Sequence, residues 1–130
     1  MFKIGDIVTI KGDNQEHSVS SVRLWDSGYI DISVSGTFEY VPAERATLAQ
    51  PTSIPQRFQV GDRVYYTSSD SQLSGEYLIF EVETYYVIDR LDQDDPPRIP
   101  RYTIVNTETE HTVHAVSESN LERQTEYSLF

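Results

Sequence analysis

Cysteine is absent from this 130-residue sequence, which excludes disulfides, thiolate metal sites and a cysteine nucleophile. Long apolar runs are absent too. The longest span four residues, as in Tyr85-Tyr86-Val87-Ile88, far short of the roughly 18 that a membrane-spanning helix needs. Basic residues are scarce: 10 Lys and Arg stand against 21 Asp and Glu, giving a net charge of −11. Such a surface repels phosphate backbones, whose neutralisation by Lys and Arg drives most nucleic-acid binding, so direct nucleic-acid binding is not expected. The opening Met-Phe-Lys-Ile-Gly-Asp has no basic start followed by an apolar stretch. A soluble protein, cytoplasmic or in a virion, without a secretory signal or membrane contact, is the expectation. Gly-x-Ser-x-Gly, phosphate-binding glycine loops and dinucleotide fingerprints are missing as well. The sequence predicts a non-enzymatic protein with no cofactor.

What is present is an internal repeat. Phe2-Lys3-Ile4-Gly5-Asp6-Ile7-Val8 returns as Phe58-Gln59-Val60-Gly61-Asp62-Arg63-Val64. Gly-Asp suits a tight turn, because glycine tolerates positive φ and Asp bonds back to the backbone. The following Val opens a strand. The copies also end alike, Tyr40-Val41-Pro42-Ala43-Glu44 running to Leu48 and Ala115-Val116-Ser117-Glu118-Ser119-Asn120 running to Leu121. Val8, Ile10, Leu48, Val64 and Leu121 are expected in the core.

Between the copies, Pro51 and Pro55 with small polar residues predict a short, semi-extended linker over 51–57. Strands are expected near Ile7–Lys11, Val19–Trp25, Tyr29–Val34 and Thr37–Val41, then Arg63–Thr67, Gly75–Thr84, Arg101–Thr107 and His111–Val116. Trp25–Tyr29 and Ser35–Thr37 read as hairpin turns. Leu78, Phe80 and Val82 alternate with Ile79, Glu81 and Glu83, which predicts one apolar face. Arg90–Arg101, with three Asp and three Pro, has no counterpart in the first copy and predicts an exposed loop insertion.

Short strands opened by Gly-Asp-x-Val and closed by strand, turn and Leu resemble the SH3-like small barrels, the group that includes KOW, Tudor and integrase C-terminal modules. In the second copy Val60–Val64, Gly75–Ile79, Tyr102–Asn106 and Val113–Leu121 follow the order of that group. The resemblance implies an all-β chain of two tandem SH3-like small β-barrels. The first would occupy residues 1–50 and the second 58–124 with the insertion 90–101, leaving 125–130 as a C-terminal tail. This superfold hosts unrelated tasks, so it implies little about function.

Metal-binding patterns are weak. His111 and His114 stand three apart, which on a strand puts them on opposite faces, and His17 falls in a predicted loop. Asp92, Asp94 and Asp95 are hard-cation ligands by type but lack the glycine and distant glutamate of an EF-hand loop. No metal site is predicted. Aromatic residues make up 12% and include nine Tyr, six of them between Tyr65 and Tyr102. Outward-facing tyrosines suit protein contact, combining area with a polar tip, and stacked rings in acidic surroundings could cage a cation. The expected partner-binding residues are Tyr65, Tyr85 and Tyr86, with Tyr127, Leu129 and Phe130 of the tail. The expected function is a protein-binding or structural module, with a protein partner or a homo-oligomer. A phage virion accessory, either capsid-decoration or head–tail, is the favoured setting. The alternative is a regulator of nucleic-acid machinery, KOW-like or an acidic DNA mimic.

Overall fold

In a computed structural model, which describes residues 1–13, 15–35, 37, 39–87, 92 and 97–123, the two Gly-Asp turns close in the same way. Gly5 and Gly61 take φ of +83° and +90°, a region glycine enters without steric cost. Asp6 Oδ2 accepts the Lys3 amide at 2.9 Å, and Asp62 Oδ2 accepts the Gln59 amide at 3.1 Å. The Gly5 amide donates to the Val19 carbonyl and the Gly61 amide to the Ile79 carbonyl, each at 2.8 Å.

Five strands follow each turn. The first set is β1 (Ile7–Ile10), β2 (Glu16–Leu24), β3 (Ile30–Val34), β4 (Tyr40–Pro42) and β5 (Ala46–Gln50). The second is β6 (Arg63–Tyr66), β7 (Gly75–Tyr86), β8 (Arg98–Val105), β9 (Thr112–Val116) and β10 (Leu121–Arg123). A 3-10 turn, Ala43–Arg45 or Glu118–Asn120, precedes the last strand of each set. The protein is all-β, with no α-helix among the described residues. No helix there is long and apolar enough to cross a membrane.

The registers of the two sets match. Ile7 pairs with Ser18 and Ile10 with Ala46 in the first, as Arg63 pairs with Leu78 and Tyr66 with Leu121 in the second. One irregularity coincides as well: a bulge falls between Val19 and Ser21 in β2 and between Ile79 and Glu81 in β7. On this correspondence Val22 matches Val82, Ile32 matches Tyr102, and Ala46 matches Leu121.

All ten strands form one open antiparallel sheet, in which β2 pairs with β7 through Ser21↔Glu83, Val22↔Val82 and Arg23↔Glu81. Separate barrels would leave these edges unpaired, so the join departs from the expected arrangement. The pairing is symmetric under exchange of the two sets, with a local two-fold passing between the matched residues Val22 and Val82. The side chains of Val8, Val19, Val22, Ile32, Val64, Ile79, Val82, Tyr102 and Leu121 are buried in one contiguous core.

Other expectations need correcting. Leu48 is 48% exposed, not core, and Ile10 is half-buried. Leu121 corresponds to Ala46, where each final strand begins, and Leu48 lies two residues further along. Leu78, Phe80 and Val82 do not share a face. The β7 bulge inserts one residue and resets the alternation, so that Tyr77, Ile79 and Val82 are buried while Leu78 and Phe80 are half-buried. Arg98-Ile99-Pro100 belongs to β8, opposite Tyr86, Tyr85 and Thr84, and not to a loop. Pairing with β9 starts only at Tyr102, so Pro100 lies in an edge segment, where a missing amide is tolerated. Glu16, His17 and Ser18 extend β2 further back than the expected start at Val19, which brings His17 into the strand opposite Val8.

Candidate functional site

The join between the two sets gathers the densest polar network. Arg23 reaches across from β2 to Asp31 on β3, with Nε and Nη2 donating to the two carboxylate oxygens at 3.2 and 3.1 Å. The Trp25 indole donates to Asp31 Oδ2 at 3.0 Å. The guanidinium lies between two rings, 3.7 Å from the Tyr40 centroid and 4.5 Å from that of Trp25. The Tyr40 hydroxyl donates to Glu81 Oε2 at 2.9 Å and accepts from Ser21 at 3.1 Å. Three serine hydroxyls, Ser20, Ser33 and Ser21, continue the network.

Geometry explains the electrostatics. Hydrogen bonds to Asp31 raise Arg23 further above its usual range, and burial raises the Tyr40 phenol. Glu83 is pushed up to about 7, first by burial and then by the hydrogen bond and charge of Glu81, its neighbour on the same strand. A folded-state value above the ordinary 4.5 means that this carboxyl stabilises the fold below about pH 4.5 and loses that contribution as pH rises to about 7. Because the group is only partly buried, solvent screening reduces the effect to about 1 kcal/mol. Glu83→Gln removes the titration. The stability gap between variant and wild type, read by urea melts from pH 5 to 8, should widen in favour of the variant with rising pH. A constant gap contradicts the Glu81–Glu83 pairing.

Beside this network lies a cleft of about 360 Å³, lined by Leu24, Trp25, Leu78, Phe80, Val105 and Thr112 among others. Trp25 belongs to both features and is 48% exposed. Its position is set by the β2–β3 hairpin, in which the Trp25 amide donates to the Tyr29 carbonyl and the Gly28 amide to the Trp25 carbonyl, each at 2.8 Å. The local two-fold generates a second hollow of about 280 Å³, lined by Ser18, Ser20, Ser35, Thr84, Tyr86 and Arg98 with others. Matched positions differ in chemistry: Leu78 replaces Ser18, Phe80 replaces Ser20, Val105 replaces Ser35, and Leu24 replaces Thr84. One scaffold thus carries an apolar cleft on one side of the axis and a hydroxyl-lined hollow on the other.

The expected aromatic residues are not brought together. Tyr85 and Tyr86 are 39% and 51% exposed at the end of β7. Tyr65 is half-buried on β6, opposite Glu76 and Glu122, and Glu76 lies roughly 30 Å along β7 from Tyr85 at the usual rise per residue. Tyr127, Leu129 and Phe130 lie outside the described residues, as do Asp94 and Asp95. The ring pair that could cage a cation, Trp25 and Tyr40, already holds Arg23. Among the described residues no three His, Asp or Glu side chains gather as a metal site. His17 bonds Asp13 at 2.8 Å, while His111 and His114 are exposed. Phe80, Leu24, Arg23 and Glu83 were not among the residues expected to form a site. The apolar character of Leu78-Ile79-Phe80 was the available signal, and the bulge disguised which way it faced.

Fold and site together define an all-β protein with one open ten-stranded antiparallel sheet and an apolar cleft at its join. Comparisons with protein family models, with curated proteins and with solved structures found no match.

Proposed function

We propose that this chain is a non-enzymatic protein-binding module, built from two SH3-like five-stranded units over residues 1–50 and 58–124, that takes an apolar side chain of a protein partner into the cleft beside Trp25. The observation carrying this reading is the contrast between matched positions. Leu24, Leu78, Phe80 and Val105 keep apolar surface in contact with water where the other set has Ser and Thr, at a cost to solubility that binding would relieve. A half-exposed Trp at the rim of a concave apolar surface is the type of residue that dominates protein interfaces. The charge of −11 favours a partner with a basic rim. A virion accessory, in capsid decoration or at the head–tail junction, is the setting we favour, on the ground that small, acidic, cysteine-free β units suit such a part.

A photocrosslinking residue in place of Thr112, on the cleft wall, tests the reading in the native host. It is expected to trap one defined protein, and Phe80→Ser should lower the yield about ten-fold or more, the effect of losing an aromatic anchor. An unchanged yield in the Phe80→Ser background contradicts the assignment. Binding to DNA that weakens with added salt would instead favour a role in nucleic-acid machinery.

A further inference from the structure

The hollow across the local two-fold from the apolar cleft differs from it at matched positions. Ser18, Ser20, Ser35 and Thr84 stand where the cleft has Leu78, Phe80, Val105 and Leu24. The same register, Leu24↔Ile30 on one side and Thr84↔Pro100 with Tyr86↔Arg98 on the other, places Tyr86 at the position of Asp26 and Arg98 at that of Gly28. One concave surface therefore carries hydroxyls, a guanidinium and an aromatic ring. At about 280 Å³ it lies just below the smallest pockets that take drug-sized ligands, roughly 300 Å³, and has room for a single ring rather than a chain.

The hydrogen bonds already made decide what this surface offers. A hydroxyl has one proton and two lone pairs. Ser35 Oγ gives its proton to the Ser18 carbonyl at 3.1 Å, and Thr84 Oγ1 gives its own to the Ser20 carbonyl at 2.8 Å. Both oxygens therefore present lone pairs to the hollow. Arg98 has the opposite character, because a guanidinium only donates. It is half-buried, and its Nη1 donates to Ser18 Oγ at 3.4 Å. An oxyanion, which only accepts, would meet the lone pairs of Ser35 and Thr84 on a chain of net charge −11. An ammonium, which only donates, would meet Arg98. Sugar hydroxyls both donate and accept, and neighbouring hydroxyls on one ring satisfy both kinds of wall. Tyr86 is 51% exposed and offers an apolar ring face to the C–H face of a sugar. We propose that the hollow is a binding site for a neutral sugar ring, stacked on Tyr86, with Ser35 and Thr84 accepting from its hydroxyls and Arg98 donating to them. The inference does not depend on the partner-binding reading.

NMR titration of the full, isotope-labelled chain with glucose, galactose, mannose and N-acetylglucosamine, each to high millimolar concentration, tests it. At least one of the four should shift the Ser35, Thr84 and Arg98 signals saturably, with a Kd on the order of millimolar, as for a small ligand held by a few hydrogen bonds. Thr84→Val keeps the shape and removes the acceptor, and should weaken binding about ten-fold or more. Tyr86→Ala and Ser35→Ala, at exposed residues, should weaken it in the same direction and serve if Thr84→Val does not fold. The Trp25 and Val105 signals of the apolar cleft should stay in place in each variant, which reports an intact fold. No saturable shift with any of the four sugars overturns the proposal, as does binding that all the variants leave unchanged. Saturable shifts with sulfate or acetate and none with the sugars overturn the assignment to a neutral ligand.

Discussion

Arg23→Glu is expected to cost about 3–5 kcal/mol of stability, the range for removing one partner of a buried ion pair. The cost has two sources. Asp31, whose side chain is only 9% exposed, loses its bidentate partner. The new carboxylate then stands opposite Glu81, close to Glu83, so that four acids converge where one cation had held two strands together. Arg23→Met separates charge from packing, because it keeps a long aliphatic side chain while removing the guanidinium that lies against Tyr40 and Trp25. It should fall between wild type and Arg23→Glu. Urea unfolding gives all three values, and a loss below about 1 kcal/mol for Arg23→Glu, the size of a surface ion pair, contradicts the network.

Tyr102→Ala should cost a comparable 3–5 kcal/mol, as for other buried large-to-small aromatic changes. Tyr102 is fully buried on β8, packed edge-on against Phe58 with centroids 5.7 Å apart. Its hydroxyl donates to Glu118 Oε1 at 2.6 Å and accepts the Phe58 amide at 3.3 Å. Burial, then Glu118, pushes the phenol far above its usual range, so it remains a donor at every pH of interest. Tyr102→Phe keeps the ring and removes the hydroxyl, and should cost about 1–2 kcal/mol because the Phe58 amide and Glu118 lose a partner. Domains of this size have a net stability of about 5–15 kcal/mol, so Tyr102→Ala should melt well below the wild type while Tyr102→Phe remains folded. Equal melting of the two variants would show that the ring does not fill the core as described.

The sequence revealed the all-β class and the repeat because both rest on local chemistry. Gly5 and Gly61 are required by positive φ, and Asp6 and Asp62 by the amides they hold. The turn Trp25–Tyr29 was legible for the same reason. The β2–β7 join was not. Strand edges pair through the backbone, and Ser21-Val22-Arg23 has little in common with Glu81-Val82-Glu83 beyond the valine. The opposed charges of Arg23 and Glu81 become meaningful only once the strands are side by side. The bulges were hidden too. Leu78-Ile79-Phe80 is apolar throughout, so an inserted residue leaves no break in the pattern, and Leu78 and Phe80 were read onto the same apolar face as Val82. Leu48 was matched to Leu121 by residue type, whereas backbone register matches Leu121 to Ala46. The site was therefore harder to read than the fold, because it lies where two distant segments meet.

Two matching five-stranded sets join through β2 and β7 about a local two-fold. Cross-strand proton contacts measured by NMR between residues 21–23 and 81–83 test it most directly. The predicted result is a set of antiparallel backbone contacts joining Ser21 to Glu83, Val22 to Val82 and Arg23 to Glu81, with slow amide exchange in both strands. Contacts of β2 with β1 and β3 alone, and of β7 with β6 and β8 alone, with fast-exchanging amides on the facing edges, would contradict it.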